Sequence, residues 1–402
     1  MNKILYKYYW LNFLVVAIPS FFNPLIYIFL LKNNSMSQIG VYLSLFWFIS
    51  FLTEIPCGAI TDLIGEKKSI ILSGIFKIVG LLLLISYDFK LLIISAFFSA
   101  ISESFQSGTL SSWMINSINH YKSNSVNLEK VFSIASIIGL TTSLIVGFIS
   151  VNYLYVYKPI LPFIFSMILC VILIFSAINM GTIKTLKNET IIKVLINSVI
   201  EIKTVFKRIF NLKTGLVLML LILLPKLLDV GPSNQWQAVF HRENDEKIIS
   251  IVWIVIAISG ILGSFISDKI LKNTDYFKSF SLLLFTDVLI LMGIFLSSNI
   301  WLNIILFSLH IVFFTIASIK GNVLLHSEIV ESDKLRNTTV SIFYSLESVC
   351  ISIFLSLNGI FSDKIGILNT WRLTNIFILL VLVFLLFYIK KKRRFLNGLK
   401  KK

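Results

Sequence analysis

With 402 residues, 56 % of them hydrophobic and only 14 % charged, and a mean hydropathy of +0.88, the chain cannot be a soluble globule, since ordinary domains carry about 25 % charged residues. It reads as an integral membrane protein. Its net charge of +16 would suit a nucleic-acid partner, and the location of the basic residues along the chain, described below, decides between that reading and a membrane one.

About 20 mostly apolar residues carry a helix across the hydrocarbon core. Runs of this kind bounded by charge are predicted at 10–31, 38–60, 69–87, 91–116, 131–152, 159–180, 212–235, 248–267, 279–297, 301–325, 337–361 and 370–389, which makes twelve crossings. The expected class is therefore an all-α membrane protein. Cys57, Cys170 and Cys350 all fall within these runs and read as small packing residues.

Between the second and third crossings lies GAITDLIGEKKS, Gly58 to Ser69. Asp62, Glu66, Lys67 and Lys68 must stay in water or pair with one another, while Gly58 and Gly65 remove side chains where helix ends would collide. Charge alone leaves two readings open, a solvated loop and a gate. Glu54 lies one turn before Gly58 and is grouped with the same cluster.

The fourth crossing carries Glu103 about 12 residues in, roughly 18 Å along the helix and so near the midplane. An ionisable group there costs about 2.5–3.5 kcal/mol even on the lenient insertion scale, so it needs a partner, water or a function. A proton carrier and a structural Glu bonded to a neighbouring helix both fit. Residues 181–213 follow the sixth crossing. They are rich in Lys and place Ile191, Val194, Leu195, Val199 and Ile202 at helical spacing, which predicts an amphipathic linker on the inner face. The domains are then 1–180, a six-helix bundle; 181–213, the linker; 214–390, a second six-helix bundle; and 391–402, a basic tail near anionic lipid.

In the seventh crossing Lys226 and Asp229 are three residues apart, hence on one face, and are expected to neutralise each other, either as a fixed pair or as one that a substrate or proton opens. Asp287 in the ninth crossing is expected to hold helices together. His310 in the tenth is expected to pack, although a proton relay is the alternative. Lys320 in the tenth and Glu347 in the eleventh complete the ionisable set. The turn motif echoes twice: Ser264, Asp268 and Lys269 take the places of Gly58, Asp62 and Leu63, and Gly359, Asp363 and Gly366 repeat the spacing of Gly58, Asp62 and Gly65.

With both termini inside, the inner loops and tails hold 26 Lys and Arg and the outer loops 7, Lys77, Lys226 and Lys320 lying within crossings. That asymmetry is the positive-inside rule, and it leaves no role for a nucleic-acid partner. A P-loop, metal-ligand cluster, nucleophile elbow and dinucleotide fingerprint are all missing, so no enzyme activity, metal or cofactor is expected.

The pattern G-x-x-x-D-x-x-G-x-[KR]-[KR] at residues 58–68 resembles the loop between helices 2 and 3 of the major facilitator superfamily, and Thr53 to Gly58, TEIPCG, resembles the E-x-P-x-G that precedes it in one bacterial branch. Arg336, Thr338 and Ser341 resemble the R-x-T-x-x-S at the entry of the eleventh helix. The fourth helix, SESFQSGTLSSWMINSI, is similar to the F-x-S-G-x-x-E-A-W-x-x-D-S of the same branch, with Ser111 and Asn116 in place of its acids. The G-x-x-x-G-P-x-x-G-G string of drug antiporters is missing from the fifth helix. The resemblance implies two bundles of six helices, with helices 1, 4, 7 and 10 lining a central cavity, so that Glu103, Lys226, Asp229, His310 and Lys320 become candidates for proton coupling or substrate. Glu347, on the eleventh helix, is expected to hold helices together but joins the candidates because it lies near mid-depth and could face the cavity. It implies a gate of Glu54, Gly58, Asp62, Gly65, Lys67, Lys68, Asp268, Lys269 and Arg336. The expected function is proton-coupled efflux of a lipophilic or cationic small molecule or peptide from a bacterial cell, acting as a monomer in the inner membrane. The alternatives are import of a small polar nutrient, and a sensor or scaffold that does not transport.

Overall fold

The computed structural model describes residues 2–120, 127–181, 213–241, 247–271, 276–325 and 336–399, with a few single positions between 193 and 204. Among the described residues every regular element is a helix: α1 (Asn2–Phe22), α2 (Ile26–Leu31), α3 (Met36–Ile64), α4 (Glu66–Leu84), α5 (Phe89–Gln106), α6 (Thr109–His120), α7 (Leu128–Ile149), a π-helical turn at Ser150–Tyr155, α8 (Leu161–Ile178), α9 (Lys213–Phe240), α10 (Lys247–Leu271), α11 (Tyr276–Gly293), α12 (Ile300–Leu324), α13 (Arg336–Ile365) and α14 (Ile367–Leu399). Nine helical stretches among these residues are long and apolar enough to cross a membrane, Ser279–Gly293 being shorter. The runs predicted at 69–87 and 212–235 coincide with α4 and α9. The linker expected at 181–213 and the side chains of the basic tail lie largely outside the described residues.

The helices start where short polar side chains can hold their first free amides. Ser35 and Gln38 form a reciprocal capping box at α3, with Gln38 N donating to Ser35 Oγ at 3.2 Å and Ser35 N to Gln38 Oε1 at 2.9 Å. Asp88, Asn127 and Asn299 cap α5, α7 and α12, their side-chain oxygens accepting from amides of the first turn. The fourth predicted crossing is split in two: α5 stops at Gln106, Gly108 takes φ +66°, and α6 starts at Thr109.

The chain separates into two compact units, Met1–Thr204 with Phe240–Ile254, and Val205–Val239 with Val255–Lys402. In the first, α1 packs on α7 and α8, and α5 lies between α3 and α4. Lipid is as apolar as leucine, so close packing and hydrogen bonds have to hold such helices together, and small residues permit both. Along the α4–α5 seam Ser95 Oγ donates to Gly80 O and Ser102 Oγ to Ser73 O, both at 2.8 Å. Tyr8, Leu11, Leu14, Trp113, Met114 and Leu173 belong to a buried apolar cluster of the same unit.

The second unit packs α11 on α12 and α14, and α13 on α14. A Cβ on Gly321 of α12 would sit 2.8 Å from Ile222 Cγ2 of α9, and one on Gly231 of α9 would sit 2.6 Å from Trp371 Cδ1 of α14, so both glycines permit close approach. Trp371 Nε1 donates to Gln235 Oε1 and Gln235 Nε2 to Ser362 Oγ, each at 2.9 Å, which joins α9, α13 and α14 by a buried polar clasp. Pro225 and Pro232 lie inside α9 and leave the carbonyls of Leu221 and Leu228 without their helical donors.

Candidate transport sites

The turn at 58–69 is built by one glycine and two hydroxyls. Gly65 ends α3 at φ +86° with open space around its Cα, so backbone conformation and not crowding requires a glycine there. Gly65 N donates to Thr61 O at 2.8 Å, Ser69 N to Gly65 O at 3.2 Å, and Ser69 Oγ ties the two helices together through Thr61 Oγ1 at 2.9 Å. The turn between α13 and α14 repeats both backbone bonds. Gly366 takes φ +83°, its N–H donates to Ser362 O at 3.0 Å, and Thr370 N donates to Gly366 O at 3.1 Å. The echo expected from Gly359, Asp363 and Gly366 is therefore structural, and hydroxyl residues also correspond, Thr61 to Ser362 and Ser69 to Thr370, which the glycine and aspartate spacing does not reveal.

The first turn opens on a cavity of about 550 Å³ lined by Gly58, Thr61, Asp62, Glu66, Ser107, Ser112 and Asn116 among others. The break between α5 and α6 forms one wall. Ser107 Oγ donates to Glu54 Oε1 at 3.1 Å, and Asn116 Nδ2 donates to Glu66 Oε1 at 2.7 Å. An Asp at 116 would set two carboxylates against each other, so Glu66 accounts for the amide there. Lys67 is partly buried and Lys68 exposed. The side chains of Asp268, Lys269 and Arg336 lie outside the described residues.

Glu103 pairs with Lys77 of α4 at 3.4 Å, and its side chain is half exposed, at 50 % against 11 % for the lysine. The more enclosed ionisable groups lie in the second unit. His310 of α12 is fully buried, with Nδ1 2.7 Å from Asp287 Oδ1 of α11 and Nε2 3.0 Å from Asp229 Oδ1 of α9. Asp287 is therefore a member of the cluster and more than the simple support expected of it. Lys226 does not turn to Asp229 as its spacing suggested: its Nζ lies 2.7 Å from Glu347 Oε1 of α13, while Asp229 faces His310. Lys320, also fully buried, contacts Ser279 of α11.

The chemistry of the His310 cluster follows from its donor count. A neutral imidazole has one N–H and one bare nitrogen, while an ionised carboxylate only accepts. Two carboxylate oxygens facing the two ring nitrogens therefore require one proton more than a neutral histidine supplies, held either as imidazolium or as a carboxylic acid.

Long apolar helices in two units, with ionisable groups buried among them, suit a membrane transporter. The chain belongs to the Major Facilitator Superfamily, whose family model matches residues 8–343. Among solved structures it is similar to a mutant form of the nucleoside transporter NupG (TM-score 0.78, 12 % identity, covering 95 % of this chain and 99 % of that one) and to NupG itself (0.75, 12 %, 97 % and 100 %). It is also similar to a POT family transporter in complex with 5-aminolevulinic acid (0.64, 14 %, 97 % and 96 %). No curated protein matches the sequence. The all-helical transporter fold expected from the sequence stands.

Proposed function

We propose that the chain is a proton-coupled secondary transporter of twelve crossings, working by alternating access, with its proton site at Asp229, His310 and Asp287. The observation that carries this is the imidazole whose two nitrogens are each held by a carboxylate from a different helix, buried in the second unit. Glu103, the first expectation from sequence, is the weaker candidate because it is half exposed and already paired with Lys77. The solute is a small organic molecule. The nucleoside and 5-aminolevulinic acid named for similar structures belong to proteins that share only a fold with this chain, at 12 and 14 % identity, and neither is carried over as its substrate.

The test is solute-driven quenching of a pH-sensitive dye in proteoliposomes, run across amino acids, dicarboxylates, nucleosides and lipophilic cations. His310→Gln should abolish proton movement and accumulation against a gradient while exchange of solute continues, and Glu103→Gln should still accumulate. The opposite pattern would return the proton site to Glu103. A chain that moves no proton with any solute would favour the sensor or scaffold reading.

A further inference from the structure

From the ion pair on α9 and α13 we infer that Lys226 is the anchor for an anionic group, a carboxylate in the first instance, on the transported solute. This deepens the transporter reading and rests on it. The two partners are not equivalent. The Lys226 side chain is 30 % exposed and that of Glu347 only 9 %, so a solute reaching the pair meets the cation first. An ammonium has three donors, and Glu347 Oε1 takes one of them. The carboxylate of Glu347 therefore orients the lysine without using up its hydrogen-bonding capacity, and its own second oxygen is buried without a partner among the described residues. Keeping a charge at this depth is costly unless it is paired, and a second anion on the exposed side would complete the lysine's coordination.

The opposite assignment, a cationic solute, fits less well. It would require an exposed carboxylate beside a buried base, and the acids near this pair are the covered ones: Glu347, and Asp229 one turn along α9, which is already bonded to His310. Among the described residues of this unit, the buried Lys320 is held against Ser279, and Arg372 of α14 donates to Asn369 in its own helix. Lys226 thus combines partial exposure with an orienting acid.

The experiment is thermal stabilisation of the purified chain in detergent by a panel of mono- and dicarboxylates, dipeptides and, as a contrast, lipophilic cations such as tetraphenylphosphonium. At least one carboxylate should stabilise the wild type, and cations should not compete with it. Lys226→Arg should retain the carboxylate with a modest change in affinity. The double variant Lys226→Gln with Glu347→Gln keeps the shape without leaving a buried charge unpaired, and should fold but bind about tenfold or more weakly. A wild type that no carboxylate stabilises, or a folded double variant with unchanged carboxylate affinity, would overturn the assignment. Because this assay reads binding and not proton movement, it can fail while the dye experiment succeeds, and the reverse.

Discussion

Residue spacing within one helix predicts neighbours but not partners. Lys226 and Asp229 share a face of α9, yet each is claimed from outside, by Glu347 and by His310. Nothing in the sequence could show this, because α9 and α12 are apolar nearly all round and the pattern gives no rotation about the helix axis. What is legible is the rarity of ionisable groups in these runs, which puts Asp229, His310 and Glu347 among the candidates and gives Asp287 only a supporting place. The Asn116–Glu66 bond joins residues 50 apart on two helices, which no spacing within one helix reveals, and it yields a test. Asn116→Asp should lower the unfolding temperature in detergent, and Glu66→Gln should cancel the loss, with a coupling on the order of 0.5–1 kcal/mol in a double-mutant cycle. Additive effects would show that the two side chains do not sense each other.

At the level of elements, the apolar runs place most helices within a few residues of those observed, since length and hydropathy dominate in a membrane, although the first run begins eight residues late and divides after Phe22, and the last helix continues to Leu399. The break between α5 and α6 is hidden from that reading. The run from 91 to 116 continues in helix-compatible residues, many of them small or polar, on both sides of Ser107 and Gly108, and a single glycine inside such a run is no stop signal by itself. The close approach of α9 and α14 is equally hidden, because it depends on which residue faces Gly231. Gly231→Ala should therefore destabilise the second unit by about 1–3 kcal/mol, since the buried Trp371 ring cannot swing away without losing its bond to Gln235. Trp371→Leu removes the ring, and in that background the alanine should cost markedly less, with the Asn358 amide at 2.9 Å the remaining close neighbour. An unchanged melting temperature for Gly231→Ala in the wild type would mean that the helices separate at little cost.

At the scale of the whole molecule, the duplicated turns are the part most legible in the sequence. Gly65 and Gly366 are paired there on spacing alone and share backbone conformation and hydrogen bonds in the structure, so a loose string of glycine and aspartate reports a real internal repeat. Orientation rests on charge. Reporter fusions at Lys402 and within 185–205 should both read cytoplasmic, as the uneven loop charge requires, and an outer location for either would remove the twelve-crossing topology. Within α9, Pro225 and Pro232 bracket a stretch that carries both Lys226 and Asp229. A rod weakened at two joints moves its middle piece as a single lever, so a tilt that shifts the lysine against Glu347 must also shift the aspartate against His310. Solute and proton would then be geared together mechanically, with no wire of side chains needed between them.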